Sequence, residues 1–290
     1  MADRVRRRML DRLLRIAADR AGAPSGIRFT ERQLYYELCR TVSPLHRMPS
    51  RLPGTLPAPV SYPAFEAALR RCGELPGLLT LTPPRIRPAG RHTPEPDLFD
   101  YGLPRLLVCE SEAVAQMLRA NGLPMESACP VLSASELPLD PGITRMLTRT
   151  GRSAVYLLHD ASTEGLTFPA RLRELTDIPP GIRVVPLGLR PRQVRALHLT
   201  HQRSVAPTAT AAQHISPERT LEHGIVEGGR VDSSEAVWLH RGRVVELEAV
   251  RPAALLRTVH RLVREVPPTR SAVAELRRVR TAGFLTWPAA

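Results

Sequence analysis

Two acidic residues stand directly after apolar runs that are typical of buried β-strands. Glu110 follows Leu-Leu-Val-Cys, and Asp160 follows Val-Tyr-Leu-Leu-His. Because ligands of a parallel sheet bind at the carboxyl ends of its strands, both carboxylates are candidates for chemistry. Two carboxylates about 4 Å apart repel each other by roughly 4 kcal/mol at an effective dielectric constant of about 20, so such a pair requires a proton or a cation between them.

Mg²⁺ is the cation that such a pair favours, because it commonly binds one or two carboxylates together with water and phosphate oxygens. The pair therefore indicates metal-assisted phosphodiester chemistry. The alternative is that Glu110 and Asp160 only stabilise the N-termini of the helices that follow them. The spacing alone leaves both interpretations open.

The composition indicates a polyanionic partner. The chain has 290 residues, and its 41 basic side chains against 28 acidic ones give a net charge of +13; the length corresponds to about two domains. Every basic residue is Arg, which a GC-rich genome would explain, although it does not explain the excess over acids. An isoelectric point near 11.0 indicates a polyanionic partner, most often nucleic acid, with solubility as the alternative reason for the excess charge. The lack of Lys excludes Schiff-base and P-loop mechanisms, which both need that side chain.

The sequence also limits the cellular setting. No run approaches the roughly 20 apolar residues of a membrane span, and no apolar secretory segment opens the chain. We expect a cytoplasmic, nucleoid-associated protein with no membrane partner. The cysteines form no C-x-x-C pair, so neither a zinc knuckle nor a disulfide framework is expected. They are Cys39, Cys72, Cys109 and Cys129.

The chain begins with a pattern typical of an amphipathic helix over residues 1–22. Val5, Met9, Leu13 and Ile16 or Ala17 repeat at helical spacing and form its predicted apolar face. The arginines on the other faces are Arg4, Arg8, Arg12 and Arg15.

Two further helices and a strand follow the first helix. The second helix begins at Thr30, where Thr-Glu-Arg-Gln is a capping box, and the third begins near Ser61 with a Pro in its first turn. The strand is Gly-Leu-Leu-Thr-Leu-Thr. This order predicts a winged-helix domain over residues 1–85, whose third helix brings Arg70 and Arg71 to the DNA major groove.

The region 99–290 alternates strands with helices, which predicts a parallel sheet with crossover helices and an overall α/β class. The predicted strands cover 106–109, 130–133, 154–158 and 182–186. The predicted helices cover 112–121, 168–175, 192–199, 252–265 and 269–280. Small polar residues predict a flexible insertion near 201–220.

Five segments resemble one known family, in the right order over about 28–265. Leu-Leu-Val-Cys-Glu-Ser-Glu-Ala and His-Asp-Ala-Ser-Thr-Glu-Gly are similar to the opening strand and the D-x-D-x-x-G turn of a Toprim domain. Val-Val-Pro-Leu-Gly-Leu-Arg-Pro, Val-Glu-Leu-Glu-Ala-Val and Thr-Glu-Arg-Gln-Leu-Tyr-Tyr resemble motifs of the branch shared by the topoisomerase VI A subunit and the meiotic double-strand-break transesterases. The fold implied is a winged helix followed by a Rossmann-like Toprim domain.

The resemblance implies site residues. Tyr36 would attack a DNA phosphodiester and form a phosphotyrosyl link, with Arg32 pairing with the phosphate and Glu110 and Asp160 holding Mg²⁺. Arg40 lies one helical turn from Tyr36 and is predicted to contact DNA. The alternative for Tyr36 is a core residue whose hydroxyl finds a buried partner.

The sequence departs from the family pattern at Ser162, which stands where the second aspartate of D-x-D is expected. This departure replaces one carboxylate ligand with a hydroxyl group. The predicted metal-binding residues are Glu110, Asp160, Ser162 and Glu164, and Glu112 is an alternative to Glu164 as the substitute for the missing aspartate. The resemblance also implies a homodimer and a separate ATPase subunit of the GHKL or SMC-like type.

Three functions follow from these observations. The first is tyrosine transesterification on double-stranded DNA, as in the topoisomerase VI A subunit. The second is hydrolysis without a covalent step, as in the Toprim nuclease subunit of SMC-like plasmid-restriction complexes. The third is DNA binding without catalysis.

Overall fold

The computed structural model describes residues 2–43, 54–81, 102–203 and 233–265. Within these ranges the α-helices are α1 (Ala2–Ala21), α2 (Glu31–Val42), α3 (Tyr62–Cys72), α4 (Glu112–Ala120), α5 (Leu123–Ser127), α6 (Pro141–Arg149), α7 (Thr163–Leu175), α8 (Pro191–Ala196), α9 (Ser233–His240) and α10 (Pro252–Val263). The strands are β1 (Leu56–Pro57), β2 (Arg105–Cys109), β3 (Val131–Ser133), β4 (Ala154–Leu158), β5 (Arg183–Gly188), β6 (Thr200–Arg203) and β7 (Arg243–Val244). Two 3₁₀ helices cover Ala134–Glu136 and Leu247–Ala249.

The central sheet has four parallel strands in the order β3-β2-β4-β5. Strand β2 lies beside β4, with Cys109 opposite Leu158 at their carboxyl ends. The two apolar runs that precede the candidate acids are therefore neighbours in space. The predicted α/β class with parallel strands is confirmed.

Helices cover both faces of this sheet, because alternate residues of a strand point to opposite sides. Leu107 packs in a hydrophobic cluster with residues of α1, α2, α3, α4 and α10. Leu106 and Val108 pack in a second cluster, together with Leu147 of α6 and Phe168 of α7. The segment predicted as a winged helix thus shares one hydrophobic core with a face of the sheet.

The predicted helices of the N-terminal region form at the predicted places. At the start of α2, Thr30 Oγ1 accepts a hydrogen bond from the Gln33 amide at 3.1 Å, and Gln33 Oε1 accepts one from the Thr30 amide at 3.0 Å. The strand predicted after α3 is reduced to a parallel bridge between Phe29 and Leu78. The rest of that predicted segment, from residue 82, lies outside the described residues.

Helix α1 buries only the C-terminal part of its predicted apolar face, including Ala17. Leu14, Ala17 and Ala21 are buried against α2 and α3, whereas Val5 and Met9 are 63% and 62% exposed. Apolar spacing alone placed Val5 and Met9 on the core face, but the contacts with α2 and α3 involve the second half of α1, so the first half has no core to pack on.

A small second sheet combines distant segments, in the order β1-β6-β7. Strand β6 pairs parallel to β1 and antiparallel to β7. Residues 201–203, expected at the start of a flexible insertion, therefore belong to a strand, and residues 204–220 lie outside the described part of the chain.

Several element boundaries differ from the predicted ones. Helix α6 was not predicted, and α7 begins at Thr163 rather than near 168 because Ser162 caps it. The Val-Glu-Leu-Glu-Ala-Val segment contains a 3₁₀ helix. The helix predicted at 269–280 lies outside the described residues. In the described ranges, no helix has the length and apolar character that crossing a membrane requires.

Candidate functional site

The structure brings Glu110 and Asp160 together at the carboxyl edge of the central sheet. The Asp160 amide donates a hydrogen bond to Glu110 Oε2 at 3.0 Å, and the Glu110 amide donates to the Leu158 carbonyl at 2.8 Å. Both bonds follow from the adjacency of β2 and β4. The Glu110 carboxylate, which follows β2, therefore contacts the backbone that follows β4.

A segment from the far end of the chain completes this edge. The Leu247 amide donates to Asp160 Oδ1 at 2.6 Å. Ala161 and Val245 exchange two backbone hydrogen bonds, at 2.9 and 3.2 Å, as an antiparallel bridge. These contacts bring Glu246, which lies between Val245 and Leu247, to the same place.

An open cleft of about 480 Å³ lies at this edge. Four of its lining residues are acidic and one is Arg, so carboxylate oxygens dominate its chemistry. The lining residues are Glu110, Ser111, Asp160, Ser162, Glu164, Gln202, Arg203, Val244 and Glu246.

The turn after Asp160 requires the glycine that the Toprim pattern also has. A Cβ atom at Gly165 would lie 2.1 Å from the Asp160 carbonyl oxygen, so only glycine fits against this backbone. Ser162 Oγ accepts a hydrogen bond from the Gly165 amide at 2.9 Å and caps α7. Ser162 thus holds the turn, while Glu164, in the first turn of α7, lines the cleft.

Burial and mutual repulsion hold these carboxyl groups towards their protonated forms. Burial, together with the nearby Glu110, Glu246 and Glu248, raises the pKa of Asp160 to about 7, against the lowering effect of the Leu247 amide. Burial also raises the pKa of Glu110 and brings that of Glu248 to about 7. A cation in the cleft would oppose all of these shifts.

Tyr36 and Arg32 lie beside the cleft, and Tyr36 is fully buried. The Tyr36 hydroxyl donates to Glu246 Oε2 at 3.0 Å and accepts a hydrogen bond from Gln202 Nε2 at 2.8 Å. Burial, followed by the charge of Glu246, raises the pKa of the phenol well above its usual range. Arg32 Nη1 lies 3.7 Å from Glu246 Oε1, and its guanidinium carbon lies 4.1 Å from the centre of the Tyr62 ring.

Arg40, a predicted DNA contact, lies in the interior. Its guanidinium pairs with Glu37 at 2.7 Å and donates from Nη1 to the Ala249 carbonyl at 2.6 Å. This side chain therefore ties α2 to the second 3₁₀ helix. Its burial does not favour the predicted DNA contact.

The two arginines predicted on the DNA-recognition helix α3 differ in environment. Arg71 forms a bidentate ion pair with Asp11 of α1, with Nη2–Oδ1 at 2.6 Å and Nε–Oδ2 at 3.3 Å. Arg70 is exposed. Arg71 therefore contributes to the contact between α1 and α3, and Arg70 keeps a solvent-facing side chain.

Five residues that line the cleft were not predicted from the sequence: Ser111, Gln202, Arg203, Val244 and Glu246. Glu246 lies in the Val-Glu-Leu-Glu-Ala-Val segment, whose resemblance to the family indicated no role for this side chain. Gln202 lies where a flexible insertion was expected, and nothing in its sequence neighbourhood indicates a role. Both residues reach the cleft only through contacts with distant segments.

The donor set restricts which cation could bind. In the part of the chain that the structure describes, no group of three or more His, Cys, Asp or Glu side chains is arranged to enclose a metal ion. Glu110 and Asp160 supply only hard oxygen donors, which fits Mg²⁺, because this ion keeps several waters and uses few protein ligands. The same set does not fit zinc, which prefers His and Cys ligands.

Comparison with known proteins adds no identification to this geometry. No protein-family model matches the chain, and neither a curated protein nor a solved structure matches it significantly. The residues of this cleft and the motifs that position them are therefore the basis for assigning a function.

Proposed function

We propose that the protein is a Mg²⁺-dependent nuclease that hydrolyses phosphodiester bonds of double-stranded DNA at the cleft between Glu110 and Asp160. The observation that carries this proposal is the 3.0 Å hydrogen bond from the Asp160 amide to Glu110 Oε2. It holds the Glu110 carboxylate against the backbone of Asp160, and both residues line one open, acidic cleft in a chain whose net charge is +13.

The proposal includes a Toprim arrangement preceded by a winged helix. Its support is the agreement between motif order and element order: β2 ends at Glu110, β4 ends before Asp160, and the D-x-D-x-x-G glycine falls at the tight contact of Gly165 with the Asp160 backbone. The three helices α1, α2 and α3 precede this unit, as in the family branch.

The chemistry follows from the charges at the cleft. Glu110 and Asp160 would hold Mg²⁺, whose positive charge would stabilise the negative charge that develops on a phosphate. Glu246 and Glu164 line the same cleft and can orient an attacking water through their carboxylate oxygens. Arg203, also in the lining, can pair with a phosphate oxygen.

The environment of Tyr36 favours hydrolysis over transesterification. A nucleophilic tyrosine needs an accessible hydroxyl and a phenol that loses its proton readily. Tyr36 has no exposed surface, its hydroxyl both donates to Glu246 and accepts from Gln202, and its pKa is raised. We infer that Tyr36 positions Glu246 at the cleft.

Tyrosine transesterification is the second candidate, and one observation favours it. The two side chains that bond the Tyr36 hydroxyl, Glu246 and Gln202, themselves line the cleft with Glu110 and Asp160. A movement of these two side chains would bring the phenol to a phosphate bound there, with Glu246 accepting its proton.

The proposal is tested with supercoiled plasmid DNA and Mg²⁺. Glu110→Gln and Asp160→Asn each remove one carboxylate charge, and we expect each to reduce the cleavage rate by roughly 100-fold or more, as for loss of a transition-state charge contact. Glu174→Gln, an exposed change at the far end of α7, is the matched control and should cleave as the wild type does.

The same assay separates the candidate mechanisms. Hydrolysis predicts no protein–DNA adduct that survives detergent, and a Tyr36→Phe protein that still cleaves. Transesterification predicts such an adduct, lost in Tyr36→Phe. If folded wild-type protein binds duplex DNA but cleaves none with Mg²⁺ or Mn²⁺, the catalytic proposal is wrong and DNA binding alone remains.

A further inference from the structure

The first half of α1 carries a strongly basic, exposed surface that the proposed cleft does not use. Between residues 4 and 18 the sequence has six arginines and one acidic residue, Asp11. All side chains from Arg4 to Met9 are exposed, whereas Leu14, Ala17 and Ala21 anchor the second half of the helix in the core. The exposed first half of α1 is thus continuous with a second half that is packed in the core.

Three arginines of this surface form a straight line along the helix. Arg4, Arg8 and Arg12 are spaced four residues apart, which places them on one side of an α-helix. We call these three residues the arginine stripe. All three are exposed, and within the described residues none of their guanidinium groups has a recorded ion pair or hydrogen bond.

The acid that could neutralise the stripe is engaged elsewhere. Asp11 is held by Arg71 of α3 in the bidentate ion pair described above, with the shortest contact at 2.6 Å. The negative charge of Asp11 therefore stabilises the contact between α1 and α3. The stripe keeps its full positive charge towards solvent.

The dimensions of the stripe suit a nucleic acid backbone. At 1.5 Å per residue, the eight-residue separation of Arg4 and Arg12 corresponds to about 12 Å along the helix axis. One strand of a DNA duplex presents a phosphate about every 3.4 Å along its axis, so this length faces three to four phosphates, about one for each guanidinium. Arg is also the side chain whose planar fork best matches phosphate oxygens.

A membrane surface fits this helix less well. Helices that lie in a membrane interface have a broad apolar face, usually with Trp, Phe or Leu. The exposed half of α1 offers only Val5 and Met9 beside the stripe, and α1 contains no aromatic residue. The exposed half of α1 therefore has more charged than apolar surface, which favours a dissolved polyanion over a membrane as its partner.

We propose that the arginine stripe of α1 is a second DNA-binding surface, which grips the phosphate backbone of the duplex independently of sequence. This inference depends on the proposed function only in taking duplex DNA as the partner. Because α1 packs on α2, which carries Arg32 and Tyr36 to the edge of the cleft, DNA held by the stripe is bound to the same packed unit as the cleft.

The test measures binding of a labelled duplex without divalent metal, by fluorescence anisotropy over a series of salt concentrations. The triple variant Arg4→Gln, Arg8→Gln, Arg12→Gln should bind more weakly. The slope of log affinity against log salt should become shallower by about 2.7, which is ~0.9 for each lost phosphate contact. Circular dichroism checks that α1 still folds.

The matched control replaces three exposed arginines of α6, α7 and the bend after α6, with Arg145→Gln, Arg173→Gln and Arg152→Gln. This variant has the same net charge as the stripe variant, and its salt slope should stay within one unit of the wild type. An equal loss of slope in both triple variants would mean that only net charge matters, and would overturn the inference.

Two further outcomes separate this inference from the proposed function. A wild-type protein that shows stripe-dependent binding but no cleavage supports the stripe and refutes the nuclease. A stripe variant with an unchanged salt slope refutes the stripe, whatever the cleavage result. Stripe-dependent sedimentation with phosphatidylserine vesicles, together with an unchanged DNA slope, would assign the surface to membranes and overturn the inference.

Discussion

The Leu247 amide donates a hydrogen bond to Asp160 Oδ1 at 2.6 Å, across 87 positions of the sequence. This bond joins the end of a central strand to a segment near the C-terminal end of the described chain. It supplies the partner that a buried carboxylate needs. It also brings Glu246, which precedes Leu247 in the chain, into the lining of the cleft.

We expect Glu246→Gln to weaken the apparent affinity for Mg²⁺ by roughly tenfold, the lower end of the loss seen when a residue supporting a metal site is removed. The physical reason is the loss of one negative charge at the cleft, with the shape of the side chain retained. The measurement is the cleavage rate as a function of Mg²⁺ concentration, with Glu174→Gln as the control. An unchanged Mg²⁺ dependence would show that Glu246 serves only the Tyr36 hydroxyl.

The stability of metal-free protein should fall as the pH rises from about 4 to 7. Burial raises the pKa of Asp160 to about 7 from its usual 3.8, so the folded state binds a proton that the unfolded state has lost in this window. A shift of three units corresponds to at most about 4 kcal/mol, because one unit is about 1.4 kcal/mol. The contribution of Asp160 is fully favourable below its unfolded pKa and is lost as the pH passes through the folded value.

This pH dependence is measured by urea unfolding in the presence of a chelator. Asp160→Asn should flatten the curve and raise the free energy of unfolding at pH 8 relative to the wild type. Added Mg²⁺ should stabilise the wild type and not the variant. An Asp160→Asn curve with the same slope as the wild-type curve between pH 4 and pH 7 would contradict the assigned shift.

Gly165→Ala should destabilise the protein by roughly 1–3 kcal/mol or more, as overpacking of a close contact does. The added Cβ would lie 2.1 Å from the Asp160 carbonyl oxygen, so the turn must move and carry the Asp160 side chain with it. The rate of DNA cleavage should fall together with the stability of the folded protein. Gly54→Ala, where an added Cβ meets nothing within 4 Å, is the control, and thermal unfolding followed by circular dichroism is the measurement.

Thr30→Ala should destabilise the protein by roughly 1–2 kcal/mol, because it removes both a helix cap and the partner of a buried carboxyl group. Thr30 Oγ1 accepts from the Gln33 amide at 3.1 Å and donates to Glu248 Oε1 at 2.6 Å. Thr30→Ser keeps both bonds and should restore most of the stability in urea unfolding. Equal stability of the Ala and Ser variants would show that the hydroxyl is not needed.

Local patterns determined much of the fold. The capping box at Thr30 and Gln33, the apolar runs before Glu110 and Asp160, and the alternation of strands and helices are all properties of short segments, and the structure has the corresponding elements where they were predicted. The sequence also predicted that two strand-end acids would meet, because parallel neighbouring strands bring their carboxyl ends to one edge.

Tertiary contacts decided the remaining features, because they depend on which distant segments pack together. The buried Tyr36 hydroxyl donates a hydrogen bond to Glu246, 210 positions away in the chain. No local sequence pattern predicts this contact. The pairing of Arg71 with Asp11 depends on the packing of α1 against α3. Helical spacing alone favoured Val5 and Met9 as core residues, yet the core lies only against the second half of α1, so both remain in solvent beside the arginine stripe.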